Sequence, residues 1–228
     1  MSTMCEASVA PPPAATAATA ATAATHAAAT AASAAPPVLR RAARVTGKTL
    51  VLRDATTADA SFIVGLRTDP VKGAHLSATP ADIGRQQAWL RAYGERDDEA
   101  YFIITAQQAG ADAGAPGAPA LGTVRLYAPR GDAFCWGSWI LAAEAPASAG
   151  IESALMVYAY ALDHLGFASA HFEVQSTNER VWAFHERFGA VRSGVQEGSF
   201  HYTLAGDAIR ASMARYRRHL PAGVEVRW

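Results

Sequence analysis

Cysteine is almost missing from this chain of 228 residues; Cys5 and Cys135 are the two present. One lies in the N-terminal tail and the other in an expected strand, which gives no disulfide framework and suits a reducing compartment, and neither has metal-ligand company. An excess of charge of either sign is missing too. Lys plus Arg and Asp plus Glu both number 20, so the basic footprint of a nucleic-acid binder is not there. Half of the chain is apolar, yet outside the Ala/Thr stretch no run of about eighteen apolar residues offers a membrane span. The first forty residues contain no aromatic side chain. They are Ala, Thr and Pro with AAT repeated, a composition that buries too little apolar surface to offset the entropy of ordering. They also lack the basic start and Leu-rich segment of a secretory signal. These absences lead us to expect a cytoplasmic protein with no nucleic-acid, membrane or metal partner.

The division expected is a disordered tail and linker over residues 1–46 and one domain over 47–228, with Arg40, Arg41 and Arg44 as a solvated cluster in the linker. About 180 residues suffice for a single core. Thr49–Ala55 alternates as a first strand. Thr56 and Asp59 stand at capping-box spacing before a helical run through Phe62, Ile63 and Leu66. Thr79, Pro80 and Asp82 start a second helix that continues through Trp89, Leu90 and Tyr93. The stretches AYFIITAQ and GTVRLYAPRG follow as strands, separated by a Gly/Ala/Pro loop from Gln108 to Pro119. Near the end, Ser199–Leu204 reads as a strand, and Ile209, Met213, Tyr216 and Leu220 mark a closing helix. This order fits a mixed sheet flanked by helices, one α/β or α+β domain.

The chain is organised around Phe134–Ala190. The segment FCWGSWIL reads as a strand. After a small-residue turn, Ile151, Leu155, Tyr158, Leu162 and Leu165 form the stripe of an amphipathic helix, with Gly166 as its stop. Ala170–Gln175 is the next strand. A second helix begins near Asn178, carries Val181, Phe184, His185 and Phe188 on one side, and stops at Gly189. The order and spacing of these pieces, with Gly150 in the turn and Asn178, His185 and Gly189 farther on, resemble the acetyl-CoA-binding core of the GNAT acyltransferases.

That resemblance implies a mostly antiparallel mixed sheet flanked by helices, acetyl-CoA as co-substrate and no metal. The cofactor's pyrophosphate would meet the helix start at Ser148, Ala149, Gly150, Ile151, Glu152 and Ser153, where free N–H groups and the helix dipole favour an anion. Glu152 is an awkward charge there unless its side chain turns away. The pantetheine arm would lie along Ile140, Leu141 and Ala142 as an added strand. His185 stands where the family usually has the tyrosine that protonates the departing thiolate, and histidine can donate near neutrality. Asn178 belongs to the same motif and is equally a good helix cap; His185 equally suits a packed core position.

An attacking amine has to lose a proton. Glu173, His75 and Asp132 are the candidate bases, with Glu173 preferred, while His164, His171 and His201 read as structural or surface groups. His75, Trp136 and Ser138 are candidates for the acceptor side. Trp136 and Trp139 are expected on opposite faces of their strand, one in the core and one flooring the acceptor pocket. The function expected is N-acetylation of a small-molecule primary amine, such as an amino sugar on a nucleotide, by a monomer or homodimer. Two alternatives stand beside it: acetylation of a protein N-terminal amine, and a non-catalytic coenzyme A-fold binding module.

Overall fold

Nine strands form one sheet in the order β7-β8-β6-β5-β4-β3-β2-β1-β9. The computed structural model describes residues 35–107 and 118–228, so the expected tail up to residue 34 and most of the loop at 108–119 lie outside the described residues. In chain order the strands and helices are β1 (Arg44–Thr46), β2 (Leu50–Asp54), α1 (Ala60–Thr68), α2 (Ile83–Gly94), β3 (Ala100–Ala106), β4 (Ala120–Arg130), β5 (Ala133–Leu141), α3 (Ala149–Ala159), β6 (Ser169–Gln175), α4 (Glu179–Arg187), β7 (Val191–Gln196), β8 (Ser199–Ala205), α5 (Gly206–Arg215) and β9 (Glu225–Arg227). All neighbours are antiparallel except β5 and β6. Among the described residues no helix is long and apolar enough to cross a membrane.

The core lies between one face of the sheet and α3. Leu50, Leu52, Phe102, Ile104 and Val124 face the apolar run of α3, from Ala154 to Ala159, none of them more than 1% exposed. A smaller cluster on the other face holds α1 and α2 over β2 and β3, through Ile63, Leu90, Tyr93, Tyr101 and Ile103. Asp59 locks the entry to α1: its carboxylate accepts from the Thr56 N–H at 2.8 Å and from both terminal nitrogens of Arg53. Burial works against this carboxyl, but those hydrogen bonds prevail and hold its pKa below the usual value.

Several expectations need correction. Residues 38–46 are not a solvated linker. Leu39, Ala42 and Val45 are buried, Arg41 donates to the Tyr93 and Gly94 carbonyls, and Tyr160 accepts a hydrogen bond from the Ala42 N–H. The cap of α2 is Asp82, which accepts from the Arg85 N–H, rather than Thr79, whose hydroxyl is held by Arg67 Nε at 2.6 Å. Besides β1, which falls in the expected linker, two strands carry no sequence signal. β7 is exposed along its whole length and shows no buried alternation. It joins β8 through Glu197 and Gly198, both at positive φ, as a tight hairpin turn requires. β9 has three residues and pairs with β1.

Candidate active site

The sheet opens between β5 and β6. Their ladder consists of Ala133–Ser169, Phe134–Ala170 and Cys135–His171. Beyond it β5 stays bonded to β4 as far as Leu141, and β6 to β8 as far as Gln175. The stretches Trp136–Leu141 and Phe172–Gln175 therefore diverge, with unpaired backbone edges facing the gap. Ser138 supplies the divergence. It sits at φ 47°, where the β4–β5 register shifts, and a bulge there bends and twists the strand away from its neighbour.

The same bulge corrects the placement of the tryptophans. One extra residue cancels the alternation, so Trp136 and Trp139 lie on one face with ring centroids 5.4 Å apart. Trp136 is 3% exposed and packs on Tyr158, Phe172 and His185. It is a core residue and cannot floor an acceptor pocket on the opposite face. Trp139 reaches α3, donating from Nε1 to the Ser153 hydroxyl at 3.1 Å. Ser138 itself holds β4 through its carbonyl, which accepts from the Thr123 hydroxyl at 2.7 Å.

α3 starts behind the end of β5, and its first turn sorts the expected anion-binding residues. The Glu152 side chain turns inward: Oε1 accepts from the Thr49 and Leu50 N–H groups at 2.6 and 3.0 Å, and Oε2 from the Thr49 hydroxyl at 2.6 Å. The carboxylate thus fastens the β1–β2 hairpin to α3. Its backbone N–H is spent on the Ser148 carbonyl, and that of Ala149 on Pro146. The Ser153 hydroxyl is occupied by Trp139 and the Gly150 carbonyl. Glu152 and Ser153 therefore leave the candidate set. Gly150 and Ile151 head the helix without a backbone acceptor for their N–H groups. Ser148 precedes them with no side-chain capping bond.

Along the strand, the Ala142 N–H is bonded to the Leu121 carbonyl. Alternation then directs the N–H and C=O of Ile140 to β4 as well, and those of Leu141 to the gap. Of the three residues expected to pair with a pantetheine arm, Leu141 has the free edge.

At the base of the gap lies an aromatic cluster around His185. The ring stands 4.2 Å from Phe172, 5.2 Å from Trp136 and 6.1 Å from Trp139. It is 4% exposed, and burial pushes its pKa down to about 3. A proton donor titrating near neutrality, as expected from the sequence, is corrected to an imidazole that is neutral at physiological pH. Its Nδ1 is buried without a hydrogen-bond partner. An unsatisfied ring nitrogen at the base of an open strand gap fits a site completed by a polar ligand. Asn178 occupies the N-cap position of α4, but its side chain makes no capping bond.

Glu173 lies on the opposite face of β6, facing away from the core. Burial raises its pKa above the ordinary carboxylate value, against the opposing pull of His201. His75, in the α1–α2 loop, reaches Thr177 just past the end of β6, with Nδ1 3.3 Å from the hydroxyl. Arg67 braces that loop through Ser77 and Thr79. Asp132 sits in the β4–β5 turn, at the paired end of β5 where its carbonyl accepts from Ala168 and Ser169. That is the end away from the gap, which removes it as a base. His201, read from sequence as structural or surface, stands directly opposite Glu173. The polar alternation of FHYTL and HFEVQ puts both on polar faces; their register is what the sequence hides.

A mixed sheet split between two parallel neighbours, with a helix start behind the split, defines the acyltransferase fold of the GNAT type. The chain belongs to the GNAT acetyltransferase family, whose acetyltransferase (GNAT) domain matches residues 49–191. Among solved structures it is similar to apo FdhC, a nucleotide-linked sugar GNAT, at 33% identity and a TM-score of 0.67, over 78% of this chain and 98% of that one. A GCN5-related N-acetyltransferase from Brucella melitensis matches at 17% identity and a TM-score of 0.61, over 78% and 87%. A spermidine N-acetyltransferase SpeG chimera from Vibrio cholerae and hSSAT matches at 15% and 0.58, over 72% and 99%. The last two share the fold alone. No curated protein matches the chain.

Proposed function

We propose that the protein moves an acetyl group from acetyl-CoA to the primary amine of an amino sugar carried on a nucleotide. The observation that carries this reading is the gap between β5 and β6, with the unpartnered Nδ1 of His185 at its base and a carboxylate of raised pKa on its open face. The similarity to FdhC, a nucleotide-linked sugar GNAT, supports the acceptor class. Acetyl-CoA supplies a thioester carbonyl open to attack by an amine. The Gly150 and Ile151 N–H groups, at the positive end of the α3 dipole, hold its pyrophosphate, and the free edge of Leu141 pairs with its pantetheine amides. Glu173 accepts the proton that the amine gives up, a role its raised pKa favours. His185 is neutral and offers the departing sulfur an N–H hydrogen bond rather than an imidazolium proton. His75 and Thr177 bridge two loops beside the opening, on the side where the acceptor enters.

Acetyl-CoA turnover against a panel of nucleotide-linked amino sugars, spermidine and peptides with free N-terminal amines tests the reading. A kcat/KM for one amino sugar at least about 100-fold above the peptides and spermidine is expected, which is about 2.7 kcal/mol of discrimination. Preference for a peptide amine overturns the acceptor class. No turnover with any amine overturns the enzyme.

A further inference from the structure

The open face of the sheet holds a second ionisable group beside the base. Glu173 on β6 stands opposite His201 on β8, and His171 opposite Thr203. Phe172 and Tyr202 between them point the other way and stack in the core at 5.6 Å, so Glu173, His171, His201 and Thr203 share the open face. His201 Nε2 is 3.8 Å from Glu173 Oε2. Both side chains line a groove of about 90 Å³ with Arg130, His171, Ser193 and Thr203. The depth differs along the groove. The Glu173 side chain is 18% exposed, whereas that of His201 is 38% exposed and forms the rim.

A base part-buried in this way must shed its proton after every turnover. His201 offers the carboxylate a more exposed neighbour at the rim. The other imidazole of the groove is committed elsewhere: His171 Nε2 is engaged with the Ala128 carbonyl at 3.1 Å, and burial and then Arg130 depress its pKa. The charged groups acting on Glu173 are His201, Glu197 from the β7–β8 turn and Arg130 from the end of β4. Glu197 and Arg130 oppose one another. An imidazole can accept a proton on one ring nitrogen and give one up from the other.

We infer that His201 is the proton relay of the reaction, taking the proton from Glu173 and passing it to solvent. This rests on Glu173 as the base in the proposed function. As the new C–N bond forms, an amine N–H bond breaks and its proton goes to Glu173. It then passes to His201 Nε2 and leaves to water, so Glu173 returns as carboxylate and no other reactant is consumed. At 3.8 Å the transfer needs a small side-chain shift or one bridging water.

The test compares wild type, His201→Gln and Glu173→Gln, measuring kcat and KM at low buffer over about pH 6 to 9, with and without added imidazole. For His201→Gln we expect kcat to fall about tenfold, both KM values to stay within about twofold, and imidazole to restore the rate in proportion to its concentration. Glu173→Gln should lose about 100-fold or more without rescue. A His201→Gln enzyme with wild-type kcat at low buffer overturns the relay, and so does a loss that imidazole leaves unchanged, because a merely structural contact behaves in that way. An active Glu173→Gln enzyme overturns the base itself and the relay with it, which separates the two failures.

Discussion

His185 shows how burial selects among the chemical roles of one residue. Its ring is enclosed by Phe172, Trp136, Trp139 and Phe184, and desolvation alone takes its pKa from 6.5 to about 3. The folded value lies below the unfolded one, so the unfolded chain takes up the proton first. The stability contributed by neutral His185 is complete above about pH 6.5 and is lost progressively as the pH falls towards 3. His185→Phe keeps the ring and removes both nitrogens. It should lower kcat by about 100-fold with little change in coenzyme A affinity, and it should lose less stability than wild type between neutral pH and pH 4. His185→Tyr should recover part of the rate through its hydroxyl. Steady-state kinetics and chemical denaturation at both pH values check this; full activity of His185→Phe removes the histidine from the mechanism.

At the scale of elements, the start of α3 decides how a cofactor is held. Gly150 is not at positive φ, so the backbone there does not require glycine. A Cβ would meet Leu141 Cδ1 at 3.7 Å and Trp139 at 3.8 Å, both ordinary contacts. Gly150→Ala should therefore stabilise the free protein by about 0.5 to 1 kcal/mol, as alanine does for glycine in a helix. It should at the same time weaken coenzyme A binding about tenfold, because the methyl group stands where a phosphate must approach the backbone. Thermal unfolding and titration calorimetry read the two effects separately. Unchanged affinity takes the pyrophosphate away from this turn, and a loss of stability makes Gly150 a structural turn.

The helices around that start were legible because each carries its own signal: an apolar stripe for α3, and a polar entry and Gly189 for α4. The positive φ of Gly189 is a local demand, and glycine announces it. What was not legible is what strands do to one another. A serine at φ 47° gives no sign of a bulge, yet it set both tryptophans on one face and moved Trp136 from the acceptor side into the core. Glu152 looked like a misplaced charge because its partners, Thr49 and Leu50, lie far away in sequence. The pairing of Glu173 with His201 was hidden for the same reason.

Over the whole molecule, residues 38–46 are part of the domain. Leu39 and Val45 are at most 2% exposed, and Arg41 ties the segment to the end of α2. A chain starting at Gly47 should lose at least about 3 kcal/mol relative to one starting at Pro36, from the two apolar side chains alone, and its urea midpoint should fall accordingly. Equal midpoints would return the segment to the role of linker.

β1 also fastens an early segment of the domain to a late one. It forms a hairpin with β2, which is next in sequence, and a ladder with β9, in which Arg44 meets Arg227. Arg40 covers the ring of Trp228, the last residue, at 4.1 Å. The hairpin can form as soon as its own residues have left the ribosome. The β9 ladder must wait until the chain has run through every other strand, and closing so long a loop costs entropy that three paired residues return late. The domain is thus built with its split sheet assembled first and its outer edge sealed after it.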